Sequence, residues 1–324
     1  MDTMDKSTLL KLYRSMVRIR LFEEKIIECY PKQEIKCPVH LCIGQEAIAA
    51  GVIAHLKKED VVVSNHRGHG HCIAKGMPIK LIMAELYGKE SGCSLGRGGS
   101  MHLVDAENGI LGTTAIVGGC IPIATGSALS FKYLNKDNVS VCFFGDGAVE
   151  EGVFHESLMF ASLHKLPILY VCENNYYATH SPISSRQPHE NIYKYAEAYE
   201  IPGVCADGND VQEVYNKSKN AIERAKNGKG PTLLEAKTYR WKTHVGPEED
   251  KDFGFRTTKE LELWKKRCPI KKTEKKLIDE FNFERKEFDL IKEEAVKEID
   301  KALEYALGSS FPKKESICDF VYAE

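Results

Sequence analysis

The chain is short of several things that would narrow its chemistry quickly. Its eleven cysteines are an odd number and no two are spaced as Cys-x-x-Cys, which argues against zinc ribbons and against a disulfide framework. Cys142 in VCFF and Cys172 in LYVCE sit inside apolar strings, where a free thiol packs as a small hydrophobe. No apolar run approaches the roughly 20 residues that span a bilayer. The opening, MDTMDKSTLLKLYRSMVRIRLFEEKI, lacks a basic-then-apolar signal peptide; we expect a cytoplasmic protein with no membrane partner. An excess of one charge is missing too. Lysine plus arginine number 45 against 47 aspartate plus glutamate, a net charge of -2, and binding nucleic acid needs a concentrated positive face. There are no internal repeats and no low-complexity segment.

What is present is a chain of 324 residues, 43% hydrophobic, long enough for one or two domains. Residues 4–30 carry Leu9, Leu12, Met16, Ile19, Phe22 and Ile26 at helical spacing. Residues 45–56 also look helical, a short strand follows at 61–64, and helical periodicity resumes at 79–88. Residues 91–120 are rich in glycine, which suggests backbone that something approaches closely. At the centre, VSVCFF (139–144) reads as a strand, GDGAVEEG as a turn, 153–166 as a helix ended by Pro167, and ILYVCE (168–173) as a second strand. Strand, crossover helix and strand make the βαβ unit of a parallel sheet, whose strands are buried on both faces. Another strand is expected at 232–236. From about residue 257 the chain is charged and helical, and its last helix places Phe288, Ile291, Ala295, Ile299, Ala302 and Ala306 on one stripe and stops at Gly308. The expected fold is α/β, a parallel sheet flanked by helices over residues 1–256 with a helical C-terminal extension over 257–324.

In such a sheet ligands bind beyond the carboxyl ends of the strands. Asp146 follows one strand and Asn175 the next, so the βαβ unit brings a carboxylate and an amide oxygen to one sheet edge. Oxygen-only donors suit Mg²⁺, which completes its shell with water and substrate phosphates. Gly145 and Gly147 allow a diphosphate to approach the backbone, and the helix starting near Val153 points its positive end towards it.

GDG, about thirty residues and then NN is the motif of thiamine-diphosphate enzymes. GDGAVEEGVFHESLMFASLHKLPILYVCENNYY resembles its form in the alpha subunits of the decarboxylating component of 2-oxo acid and acetoin dehydrogenase complexes. HLCIGQEA (40–47), HRGHGHCIAKG (66–76), GRGGSMH (96–102), AIVGG (115–119) and TYRWKTH (238–244) recur in that family's order. The resemblance covers most of residues 10–270 and implies the thiamine-diphosphate-binding fold. It also implies that Asp146, Asn175 and the main-chain carbonyl of Tyr177 hold Mg²⁺ and that Gly147 and Ala148 line the diphosphate. Arg67 would pair with the diphosphate and His66, where pyruvate dehydrogenases often have tyrosine, would donate to it. Val117 matches the position whose backbone holds the aminopyrimidine ring, and Ala115 replaces a frequent glycine near it. His40 matches another active-site position. His244 is the implied catalytic histidine, near the diphosphate and supporting proton or acyl transfer to a lipoyl group, a role that suits a side chain titrating near working pH. Its loop is expected to be disordered until cofactor binds. A zinc site at His66, His69 and His71 is disfavoured by Arg67 among them; His55, His155, His164 and His189 read as structural or exposed.

One part of the family's machinery has no counterpart here. The glutamate that activates the cofactor's pyrimidine ring stands on a separate beta subunit in family members of this size. The resemblance therefore implies an α2β2 assembly with the cofactor at the subunit interface, inactivity of this chain alone, and a lipoyl-bearing acyltransferase as acceptor. The segment VGPEEDKDFGFR has no serine, so the phosphorylation that controls eukaryotic pyruvate dehydrogenases there is not expected. Its acidic EED run reads as a solvated loop or a partner contact. Two rival readings stand beside this one: a member recruited to another pathway with a non-lipoyl acceptor, and a non-catalytic diphosphate-binding regulator. The small-molecule substrate, a 2-oxo acid such as pyruvate or acetoin, stays open, with HRGHGHCIAKG and HVGP closer to the acetoin type.

Overall fold

The computed structural model describes residues 4–249, 254–319 and 321–322. The strands β1 (Val61–Ser64), β2 (Ile110–Thr113), β3 (Ser140–Gly145), β4 (Ile168–Asn174), β5 (Gly203–Asp207) and β6 (Thr232–Lys237) form one sheet in the order β2-β1-β3-β4-β6-β5. All neighbouring pairs are parallel. From β1 the chain moves to one side of the sheet and from β3 to the other. The crevice between the ends of β1 and β3 is thus the place where a sheet of this kind binds ligands.

Both faces are covered, which explains why β3 and β4 read as unbroken apolar runs. On one face α5 (Cys120–Tyr133) and α6 (Gly152–Leu163) pack Ala124, Ala128, Phe154 and Leu158 against Cys142, Phe144, Tyr170 and Cys172. On the other, α2 (Glu46–Ile53) and α7 (Val211–Lys226) pack Ile48, Val52, Val214 and Ile222 against Val141, Phe143, Leu169 and Val171. The alternation of the two sets along each strand is the period of two expected of β structure. No cysteine is paired, and Cys142 and Cys172 are buried among these side chains.

Helix α1 (Lys6–Cys29) starts where the Asp5 carboxylate accepts from the Thr8 N–H at 3.0 Å, and it buries the six residues anticipated for it. The short helix α3 (His69–Lys75) packs between α1 and β1, and α4 (Ile79–Leu86) shares a core with Ile19, Phe22 and Ile26 of α1. The C-terminal helices are α8 (Thr258–Lys266), α9 (Pro269–Phe281) and α10 (Arg285–Gly308). Glu284 and Glu287 form a capping box at the start of α10, and the apolar stripe from Phe288 to Ala306 is buried as expected. Leu277, Phe288, Ile291 and Ala295 share one core with Leu9, Leu12 and Met16 of α1.

One expectation needs correction. Helix α6 ends at Leu163, before Pro167: Lys165 takes a left-handed φ of 45° and the Leu166 N–H bonds the Ala161 carbonyl at 2.9 Å. That helix end needs no proline. The close approach expected of the backbone in the glycine-rich stretch 91–120 is made, over 92–99, by the protein itself. The Glu85 carboxylate accepts N–H groups from Ser94, Gly96, Gly98 and Gly99 at 2.7–3.0 Å. A Cβ at Gly92 would lie 2.7 Å from the Glu85 Cα, so the loop closes only with glycine there.

Candidate active site

The loops after β1, β3 and β4 bound a cavity of about 780 Å³, its open mouth included. It is lined by Asn65, His66 and Arg67 after β1, by Gly145, Asp146, Gly147, Ala148 and Glu150 after β3, and by Asn175, Tyr177, Ala178 and Thr179 after β4. Val117, Gly118 and Cys120 at the start of α5, together with Glu173 and His244, complete the wall. Every residue implied by the motifs except His40 therefore lines one cavity. His40 stands just behind, its ring 4.8 Å from that of His66 and 5.3 Å from that of His244, centroid to centroid. Ala115 is not part of the wall.

Buried charges of both signs line the cavity, the positive Arg67 against the negative Asp146 and Glu173. The Arg67 guanidinium donates to the Leu41 carbonyl at 2.9 Å and, at 3.1 Å each, to the His244 carbonyl and Nδ1. Burial pulls its pKa down to about 10, with the more distant Glu23 and Glu173 acting the other way. Among the described residues no carboxylate forms an ion pair with it, so this buried cation is short of an anion. Across the cavity, Asp146 is 1% exposed. Burial raises its pKa, opposed by the guanidinium of Arg186, which hydrogen-bonds both Asp146 and Glu150. Nothing lies within 4 Å of where a Cβ would stand at Gly145. With no packing reason for glycine, the space beside the strand end suits a group that approaches the backbone.

The three histidine rings stay neutral. Burial, then Arg67, push the His40 imidazole down to about 3, His66 to about 2 and His244 to about 3. The expectation that His244 titrates near working pH is therefore not met in this arrangement. Because the guanidinium can only donate, His244 Nδ1 is the acceptor and the ring carries its proton on Nε2. Unfolded histidine has a pKa near 6.5, so below that pH the unfolded chain binds more protons than the folded one and stability falls as pH drops towards 3. Thermal unfolding measured from pH 7 to pH 4 should show this decline, and a His66→Asn variant should show a shallower one. Equal slopes would contradict these assignments.

His69 and His71 are each held by hydrogen bonds within the fold. His69 lies between Glu23 (3.1 Å) and Ser100 (2.8 Å), and His71 between Ser64 (2.7 Å) and Glu173 (3.2 Å). His55 and His155 each bond within the fold, to the Tyr215 carbonyl and the Tyr199 hydroxyl. In the loop after His244, residues 250–253, with the last residue of the EED run, lie outside the described residues. On its far side Arg256 donates to the carbonyls of Arg240 and Lys242.

The motifs gave no notice of Arg186, Glu173 or Gln45. Arg186 stands in an unremarkable SSRQ stretch, and only the fold carries it to Asp146. Glu173 and Gln45 were inside quoted motifs, but spacing alone could not assign them neighbours.

Comparison with known sequences agrees with this geometry. The model of the family described as "Dehydrogenase E1 component" matches residues 14–315. The chain belongs to that family. It is 41% identical over 312 residues to the alpha subunit of acetoin:2,6-dichlorophenolindophenol oxidoreductase of Bacillus subtilis, covering 96% of this chain and 92% of that protein. It is 39% identical over 326 residues to the alpha subunit of the pyruvate dehydrogenase E1 component of Porphyra purpurea, covering 98% and 94%. A second acetoin:2,6-dichlorophenolindophenol oxidoreductase alpha subunit, from Cupriavidus necator, is 36% identical over 320 residues, covering 98% and 95%. The family implies a thiamine-diphosphate-dependent oxidoreductase subunit, and no helix among the described residues is long and apolar enough to cross a membrane.

Proposed function

We propose that this chain is the cytoplasmic alpha subunit of a heterotetrameric E1 enzyme. With thiamine diphosphate and Mg²⁺ it would cleave acetoin or a small 2-oxo acid next to the carbonyl and pass the acyl unit to a lipoyl-bearing acyltransferase. The observation that carries the reading is the cavity at the β1/β3 crevice with a buried arginine on one wall and a buried aspartate on the other. A diphosphate bridged by a cation satisfies both at once, because Arg67 lacks an anion and Asp146 with Asn175 offers only oxygen donors. In this reading residues 1–256 bind the cofactor and 257–324 are the extension packed on α1.

Thiamine diphosphate, when bound, supplies the carbanion chemistry at the substrate carbonyl. Asp146, the Asn175 amide oxygen and the Tyr177 carbonyl would hold the cation, and Tyr177 is fixed by its hydroxyl, which donates to Glu260 of α8 at 3.1 Å. Arg67, His66 and the backbone of Gly147 and Ala148 would hold the diphosphate, and the Val117 backbone the pyrimidine end. His244, neutral with its proton on Nε2, is set to donate a hydrogen bond to the diphosphate or to the entering acceptor. The anion it faces would raise its pKa again. The beta subunit would cover the apolar rim, where Ile116 and Val117 are 69% and 51% exposed beside the cavity.

Arg186 occupies the cation's carboxylate, so loading must move it aside. Arg186→Gln should lower the Mg²⁺ concentration needed to bind thiamine diphosphate by roughly threefold to tenfold, the worth of a partly screened ion pair. An unchanged or higher requirement would contradict this.

The reading is tested on the protein purified from its own cells with Mg²⁺ and thiamine diphosphate. A native mass fitting two copies plus two of a similar-sized companion, with dichlorophenolindophenol reduced on addition of acetoin or pyruvate, is expected. A monomer or homodimer that keeps no cofactor would overturn it and favour the regulator. Turnover with neither substrate and an intact assembly would favour a recruited member.

A further inference from the structure

Gln45 does not line the cavity, but it contacts the implied cation ligand Asn175, which does, across 130 residues of sequence. We propose that Gln45 is a positioning residue: it fixes the Asn175 side-chain amide in the one sense that turns its oxygen towards the cation of the cofactor. The assignment rests on the reading of the site given above.

An asparagine amide has two ends of the same shape, one attractive and one repulsive to a cation. Which end points where is decided here by donors that cannot reverse. The Tyr177 N–H lies 3.4 Å from one end of the Asn175 amide. A main-chain N–H only donates, so that end is the oxygen, which keeps a further lone pair for the cation. The other end, Nδ2, then faces Gln45, whose Oε1 accepts from it at 3.1 Å. Gln45 is itself held. It is 1% exposed, its N–H donates to the Cys42 carbonyl at 2.9 Å and its carbonyl accepts from Ile48. The preceding Gly44 has φ 100°, and a Cβ there would sit 2.5 Å from Trp241 Nε1. Holding Oε1 towards Asn175 leaves the buried Gln45 Nε2 without a hydrogen-bond partner. The reversed amide would set Nε2 against the Asn175 Nδ2, donor against donor, so the acceptor end is the one the site uses.

The neighbouring Asn174 follows the same plan for a structural purpose. Its Oδ1 accepts from the Tyr176 N–H at 3.0 Å, and its Nδ2 donates to Glu235 at 2.7 Å. At Asn174 the acceptor is a carboxylate; at Asn175, beside Asp146, it is a neutral amide that adds no further negative charge to the site.

The test uses the chain in its native assembly and follows Mn²⁺ binding by electron paramagnetic resonance with thiamine diphosphate present, alongside thermal unfolding without either. Gln45→Met, which keeps the volume and removes the acceptor, should weaken Mn²⁺ binding about 10- to 100-fold. Gln45→Glu, which still accepts and brings a negative charge, should bind Mn²⁺ at least as tightly as the unsubstituted chain. In an Asn175→Asp background, where both ends of the side chain are oxygen, Gln45→Met should cost little more, a non-additivity that a merely structural role would not produce. If Gln45→Met does not fold, Gln45→Asn, which withdraws the amide by one methylene, carries the same prediction at smaller magnitude. Wild-type affinity in Gln45→Met and Gln45→Asn, or an equal loss in both backgrounds, overturns the proposal. Failure of the unsubstituted assembly to bind Mn²⁺ at all would instead overturn the reading of the site on which it rests.

Discussion

Asp146→Ala should abolish Mg²⁺-dependent binding of thiamine diphosphate and turnover together. Asp146 is the one charged ligand implied for the cation, and hard cations depend on such oxygens. Groups that merely orient a ligand are worth about 10- to 100-fold in metal affinity, so loss of the ligand itself should exceed about 100-fold. Calorimetric titration of the cofactor into the variant, with and without Mg²⁺, reads the effect. Without the carboxylate, Arg186 keeps Glu150 as an ionic partner, so the fold should survive. Binding within a few-fold of wild type would remove the cation from this site. The experiment also separates the rival readings, because a diphosphate-binding regulator would lose affinity but has no turnover to lose.

Arg67→Ala carries the second large effect. The guanidinium is buried and spends its donors on Leu41 and on both the carbonyl and Nδ1 of His244. Its removal takes the charge from the diphosphate wall and the tether from the His244 loop in one step. Truncating one member of a buried charge pair costs about 2–5 kcal/mol, which is about 30-fold to several thousand-fold in cofactor affinity. Arg67→Lys should recover little of it, since a single ammonium on a flexible stem cannot bridge Leu41 and His244 while facing a phosphate. The His244 pKa should rise in both, further in Arg67→Ala, because the nearest positive charge is gone or displaced. That shift can be followed by NMR titration of the imidazole between pH 3 and 8. An unmoved His244, or cofactor affinity close to wild type, would sink the assignment.

The parts legible in the sequence were those in which a local pattern and a global constraint coincide. Strands buried on both faces must be apolar throughout, so VSVCFF and ILYVCE announced a parallel sheet, and the residues that follow them had to meet at its edge. The stripe of α10 was legible for a similar reason: one face meets α1 and α4 and the rest meets water. Strand β2 was not, because its four residues, ILGT, lie within a glycine-rich stretch and are too few to show a period. Glycine announced a close approach within 91–120 but not what makes it, which over 94–99 is the protein's own Glu85. The site was legible as residue types but not as pairings. Arg67 and His244 stand 177 residues apart, and Asn175 and Gln45 130; no spacing rule connects them. The electrostatics were hidden as well, since His244 read alone titrates near neutrality, and only its burial beside Arg67 makes it neutral.

The most direct test of the central claim is anomalous diffraction from crystals of the assembly grown with Mn²⁺ and thiamine diphosphate. The account predicts a manganese peak bounded by Asp146, Asn175 and the Tyr177 carbonyl, with Arg186 displaced and the diphosphate facing Arg67. A peak elsewhere, or a cofactor bound with Arg186 still paired to Asp146, would contradict it.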